Sequence, residues 1–122
     1  MDTGTALAAV KFVIQNAEDE GVTPHFDFFG GEPLLRWDEV IVPCVQYIRN
    51  VYKRPCELGI TTNCLLLDVD KLRFLSENNV AMLVSMDGAR ETHDLNRCFP
   101  DGAGSFDVVA DKIPMILQYY PD

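Results

Sequence analysis

Asp27-Phe28-Phe29-Gly30-Gly31-Glu32-Pro33-Leu34-Leu35 is the stretch that decides the fold. A short apolar run, expected to be a strand over about His25 to Phe29, passes straight into two glycines, a carboxylate and a proline before a helical pattern begins. Adjacent glycines admit positive φ and let bare N–H and C=O groups approach a small molecule where a Cβ would block it. Pro33 then fixes φ on the far side of the turn. Two readings follow: a ligand cradle at a strand end, or a turn that needs glycine for geometry alone.

Two further strands end in the same way. Leu58 to Thr62 is apolar and β-branched and runs into Asn63, and Val80 to Met86 closes in Ser85-Met86-Asp87-Gly88. A helix-like segment follows each strand, so three βα units succeed one another and the fold class is α/β, with about three parallel strands and four helices. Parallel strands joined by right-handed crossovers carry their C-terminal ends to one rim, which is where barrel and doubly wound folds bind ligands.

Between these strands the helices are marked by caps and periodicity. Thr3 or Thr5 is expected to cap a first helix with Ala6, Val10, Val13 and Ala17 on one stripe and Leu7 and Ile14 beside it, ending at Gly21. Trp37, Val40, Ile41, Cys44, Val45, Ile48 and Tyr52 form a broad apolar face; Pro43 predicts a short first turn and a main helix from near Val42. Asp68 caps a third helix with Val69, Leu72 and Leu75 inward, closed by Asn78-Asn79. Arg90 to Gly104 reads as loop with one helical turn at Glu91 to Leu95. Ser105 caps a last helix that Pro114 kinks or splits.

The chain has 122 residues, 48% of them apolar, which is one domain's worth of sequence and predicts a single domain over 1–122. No leader is visible and no apolar run approaches the roughly 20 residues that span a bilayer, so a soluble chain with no membrane partner is expected. Four cysteines without a paired pattern suit a reducing compartment, and a cytoplasmic location is expected. A net charge of −9 opposes binding to nucleic acid phosphates and anionic lipid, and no basic stripe, repeat or low-complexity tract offsets it.

Phe29-Gly30-Gly31-Glu32-Pro33, Thr61-Thr62-Asn63, Ser85-Met86-Asp87-Gly88 and His93-Asp94-Leu95-Asn96-Arg97, in this order and spacing, resemble the radical S-adenosylmethionine (SAM) enzymes. Within them the likeness is to the branch of anaerobic sulfatase-maturating enzymes (arylsulfatase regulators) and SPASM-type peptide and protein maturases, and it runs from about Thr5 to Tyr120. The resemblance implies a partial TIM-like (βα) barrel, of which this chain would supply about half. It also implies an oxidoreductase that cleaves SAM on a 4Fe–4S cluster to a 5′-deoxyadenosyl radical, which abstracts hydrogen from a peptide or protein side chain in sulfatase maturation or thioether formation. Such enzymes hold the cluster through CxxxCxxC after the first barrel strand. Here Cys44, Cys56, Cys64 and Cys98 are scattered and read as separate buried thiols, so no metal ligand is assigned. The expectation is therefore the central part of such a core, lacking the first strand with its cluster loop and the later strands. It would be inactive alone, bind neither cluster nor cofactor appreciably, and be prone to dimerise through open sheet edges.

By the same resemblance, the backbone of Gly30, Gly31 and Glu32 would take the methionyl ammonium of SAM, and Ser85 the ribose or carboxylate. Arg97 would pair with the methionyl carboxylate, for which its guanidinium fork is suited. Thr62 and Asn63 would line the next strand end, with an Asx turn the alternative for Asn63. Asp87 joins this set but is expected mainly to steady the turn at Gly88; His93 and His25 read as structural; no catalytic residue is assigned. Two departures stand out: Phe29 where sulfatase-maturing members commonly have glutamine, and Cys64 where glycine is usual, which is expected to narrow the cofactor pocket. The competing reading is a non-enzymatic α/β module that binds a nucleotide or a partner through the same rim.

Overall fold

The computed structural model describes residues 1–121. Helix α1 (Thr3–Glu20) is capped by Asp2 rather than by a threonine: the Asp2 carboxylate accepts from the Thr5 N–H at 2.8 Å, and a charged acceptor suits the positive end of a helix. Gly21, at φ 70°, ends it. Ala6, Val10, Ile14 and Ala17 are the buried stripe, so Ile14 lies at its centre and Val13 at its edge.

Strands β1 (His25–Phe28), β2 (Glu57–Thr62) and β3 (Val80–Val84) form a parallel sheet in the order β1-β2-β3, with Phe26 opposite Leu58 and Leu58 opposite Val80. β3 ends two residues before Met86, but the Ser85 N–H still donates to the Thr62 carbonyl at 2.8 Å, so the chain leaves the sheet at the rim.

A 3-10 turn at Pro33–Arg36 leads into a continuous helical stretch over 37–52, made of π-helical Trp37–Ile41, α2 (Val42–Gln46) and π-helical Tyr47–Tyr52. Pro43 accounts for part of this irregularity. An α-helix would pair the Glu39 carbonyl with the N–H of residue 43, which proline lacks; Thr3 Oγ1 of α1 donates to that carbonyl instead, at 2.6 Å.

Helix α3 (Val69–Glu77) starts at Asp68, whose Oδ1 accepts from the Lys71 N–H at 2.9 Å. Leu72 and Leu75 are buried, whereas Val69 is exposed, because the first helical residue lies outside the stripe that faces the core. Asn79, at φ 50°, turns the chain into β3. The segment expected to be mostly loop contains a two-turn helix, α4 (Arg90–Asn96), followed by an isolated bridge between Cys98 and Gly104.

The final helix is split at Asp111 and Lys112 into α5 (Phe106–Ala110) and α6 (Ile113–Tyr119), and Pro114 falls in the first turn of α6, where its missing N–H is tolerated. Ser105 does not cap α5 through its side chain. Asp94 does so from α4: its Oδ1 accepts from the Phe106 N–H at 2.9 Å, and Gly104 is needed there because a Cβ would collide with the Asp94 carboxylate.

Phe26, Phe28, Leu58, Ile60, Val80, Met82 and Val84 pack with the helices in one core. His25, Asp27, Ala81 and Leu83 alternate with them and are exposed on the other face. A doubly wound sheet covers both faces; helices confined to one face are what a sector of a βα barrel has.

Candidate functional site

The C-terminal ends of the three strands carry a connected polar rim. Gly30 and Gly31 sit at φ 94° and 54°, where L side chains are strained. A Cβ at either would meet nothing within 4 Å, so within this chain the requirement is conformational rather than one of close approach. Their carbonyls accept no hydrogen bond among the described residues.

Glu32 binds the first two strand ends together. Its Oε1 accepts from the Leu34 N–H at 3.0 Å and from Thr62 Oγ1 at 2.7 Å, and its Oε2 accepts from the Asn63 N–H at 2.9 Å. Thr62 is buried, and its Oγ1 also accepts from the Cys64 N–H at 3.0 Å, so its hydroxyl is fully engaged inside the protein. Asn63 forms the Asx turn, its Oδ1 accepting from the Leu65 N–H at 3.0 Å.

Cys64 follows at φ 63°, which explains why glycine would be at home there. Its side chain points into the core rather than narrowing the rim, and burial pushes its thiol up to about 11, with the nearby Glu32 charge adding to the effect. Lys112 closes the loop from below, its Nζ donating to the carbonyls of Cys64, Leu65 and Leu67 at 2.9, 2.7 and 2.8 Å.

Asn63, Ser85, His93, Asn96, Arg97, Cys98 and Ser105 line a cavity of about 250 Å³ between the ends of β2 and β3 and helix α4. Arg97 carries the main charge there. Its Nε and Nη2 donate to the Asp87 carboxylate at 2.9 and 3.2 Å, and Nη1 has no partner among the described residues. A guanidinium has five N–H donors in a planar fork, so with the Nε/Nη2 edge on Asp87 the Nη1/Nη2 edge remains open to a second carboxylate. The Asp87 carboxylate therefore pairs with Arg97 rather than bonding the turn at Gly88.

The imidazole of His93 is wholly buried behind this pair. Its Nδ1 accepts from the Asp87 N–H at 3.2 Å, which places the ring proton on Nε2, 2.9 Å from Ser105 Oγ; Ser105 Oγ donates in turn to the Arg97 carbonyl at 2.6 Å. The sequence marked His93 as structural and missed Ser105's part in this path, since the two are far apart along a segment without period.

The donor set does not fit an iron–sulfur cluster. Cys44, Cys56 and Cys64 are buried on separate elements, and burial raises the thiol of each. Cys98 is exposed, contrary to the expectation that all four are buried; it lies in the irregular segment after α4. Among the described residues no group of three His, Cys, Asp or Glu side chains is placed to hold a metal ion, and no helix is long and apolar enough to cross a membrane.

No family model matches the chain. Curated cysteine-type anaerobic sulfatase-maturating enzymes do: that of Clostridium novyi (strain NT) is 29% identical and that of Clostridium perfringens (strain 13 / Type A) 32% identical, each over 96 residues that make up 77% of this chain and 26% of the relative. The solved structure of native anSMEcpe with bound AdoMet and Cp18Cys peptide superposes with a TM-score of 0.72 at 33% identity, covering 80% of this chain and 28% of that one. The chain is a homologue of the anaerobic sulfatase-maturating enzymes.

A second solved structure, a polyhistidine-tagged anSMEcpe with bound AdoMet, gives a TM-score of 0.70 at 31% identity, over 83% of this chain and 29% of that chain. The resemblance drawn from the four sequence blocks is borne out, as is the α/β partial-barrel architecture with its three parallel strands. The chain spans about a quarter of the length of the sulfatase-maturating enzymes it matches.

Proposed function

We propose that this single domain is the SAM-binding part of a radical SAM enzyme that modifies a peptide or protein side chain, a reading supported by its likeness to relatives named sulfatase-maturating enzymes. The observation that carries the reading is the open edge of the Arg97 fork. It is the charged group of a cavity shared with Ser85 and Asn63, at the C-terminal ends of parallel strands. A free amino acid moiety needs an anion receptor and ammonium acceptors close together. Arg97 offers the first; the carbonyls of Gly30 and Gly31, which have no partner among the described residues, are the chemistry of the second, and they lie at the end of β1 on the same rim, outside the lining of the Arg97 cavity. Glu32 and Thr62 are occupied with each other, so they shape the rim, while Asn63 and Ser85 lie at the cavity itself.

When bound in an enzyme of this kind, SAM supplies the 5′-deoxyadenosyl group that abstracts hydrogen from the substrate. The residues here bind and orient its methionyl end; the cluster that reduces it finds no ligand set among the described residues, and no step is assigned to it. The free cysteines fit a reducing cytoplasm, and the acidic balance opposes nucleic acid and anionic membrane as partners.

Equilibrium dialysis tests the reading. SAM should bind this chain with a Kd of roughly millimolar order, because few of the contacts that offset lost translational freedom are present. Decarboxylated SAM should bind at least about tenfold more weakly, a loss typical of a charged hydrogen-bonded pair, and Arg97→Ala should abolish that difference. Equal affinity for the two ligands in the native chain would overturn the assignment.

A further inference from the structure

Arg97 sits at the C-terminal end of α4, where a side chain of many rotamers leaves a two-turn helix for the cavity mouth. Left to itself such an arginine would sample many positions and lose entropy on meeting a ligand. The path behind it opposes this. The Asp87 carboxylate grips the guanidinium from one side. The backbones at both ends of that ion pair are held by one buried relay, with His93 accepting from the Asp87 N–H and Ser105 donating to the Arg97 carbonyl, and with His93 and Ser105 bonded to each other. Phe106 packs edge-on against the His93 ring at 5.6 Å between centroids, which fixes the plane of the imidazole.

We infer that His93 and Ser105 are positioning residues: a buried imidazole–hydroxyl clamp that sets the distance between Asp87 and Arg97, and so aims the open guanidinium edge into the cavity before any ligand arrives. The inference deepens the proposed function and its functional meaning rests on that reading, since the clamp would prepare a receptor for the methionyl carboxylate. The geometry gives each partner one role. His93 Nδ1 can only accept here, Nε2 can only donate, and Ser105 Oγ both accepts and donates, so removing the Ser105 oxygen breaks the path at its middle without opening a large void. The hydroxyl is also too deep to meet solvent freely, Ser105 being 5% exposed.

The test is hydrogen exchange by NMR on the 15N-labelled chain without ligand, comparing the Arg97 Nε–H with the backbone amides of Leu58 and Ile60 in the sheet core. In the native chain the Arg97 Nε–H should be protected. Ser105→Ala should speed its exchange about fivefold, the factor that loss of one ordinary hydrogen bond predicts, while the core amides keep their rates. His93→Gln should speed it as well, because an amide side chain cannot span both partners as the ring does. An unchanged Arg97 Nε–H in Ser105→Ala overturns the clamp. So does a rise shared equally by the core amides, which would make Ser105 a general stability residue. Because this readout needs no SAM, failure of the clamp and failure of the SAM assignment are separable: the dialysis arm with the native chain reports the latter alone.

Discussion

The two ends of the sheet are closed by the same device with opposite charge. At the C-terminal end the Glu32 carboxylate gathers three donors from the β1 and β2 exits. At the N-terminal end the Arg49 guanidinium donates to three carbonyls, those of Asn78, Cys56 and Asn79, at 2.9, 3.1 and 3.3 Å, just before β3 and β2 begin. Strands that run parallel present similar unpaired backbone groups at each end, and an ion with several bonding sites satisfies them at once. The difference lies in what is left over. The N-terminal end finishes in the exposed His25, Asp27 and Glu57 cluster, in which both carboxylates bond the one imidazole through its two ring nitrogens. The C-terminal end retains an arginine edge and two glycine carbonyls with no partner among the described residues. Unspent capacity, rather than polarity as such, distinguishes the end at which a site is proposed.

The largest effect is expected at Glu32. Glu32→Ala leaves a buried hydroxyl and two N–H groups without their acceptor and should cost about 3 kcal/mol in urea unfolding. It should also loosen the Asn63 and Leu34 amides in hydrogen exchange. A loss under about 1 kcal/mol would mean that water replaces the carboxylate and that the rim is not held by it.

Arg49→Lys probes the other end. A lysine keeps the charge but cannot reach three carbonyls through a planar fork, so about 2 kcal/mol should be lost with no effect on SAM affinity. A change in SAM affinity beyond what the lost stability explains would show that the two ends are coupled.

Lys112→Met sharpens the contrast within the C-terminal end, because it strips a shared donor from three loop carbonyls while preserving the aliphatic stem. We expect a loss of about 1–2 kcal/mol, concentrated in the exchange of the 64–67 loop. Uniform loss across the sheet would assign Lys112 to the core rather than to the loop.

The smallest effect is at His25. Its hydrogen bond to Glu57, and then that to Asp27, raise its pKa above 6.5, so the protonated form is favoured in the folded chain. The stabilisation is fully present below about pH 6.5 and is lost as pH rises through the raised folded value. His25→Ala should therefore lower stability in mild acid and leave it unchanged at alkaline pH. A gap that widened with rising pH would contradict the pairing.

Much of this was legible in the chain because it is local. Gly30 and Gly31, the Asp68 cap and the helix break just before Pro114 each depend on neighbours within a few positions, where φ preferences and capping chemistry decide. The rest was not legible, and for physical reasons. Asp94 caps a helix twelve positions away in α5, and the Asp87, His93, Arg97 and Ser105 path assembles from a stretch whose charges show no period. Thr62 read as a ligand group because a hydroxyl at a strand end is indistinguishable in sequence from one consumed by Glu32. Val69 read as inward because periodicity does not mark the first residue of a helix as exposed.

A titration of the 15N-labelled chain with SAM, followed through backbone amide shifts, tests the C-terminal rim as a SAM receptor. Progressive shifts are expected at Gly30, Gly31, Asn63, Ser85 and Arg97, with His25 and Glu57 at the N-terminal end of the sheet unmoved. Shifts confined to the open sheet face around Asp27, Ala81 and Leu83, or none at SAM concentrations of several millimolar, would contradict that assignment.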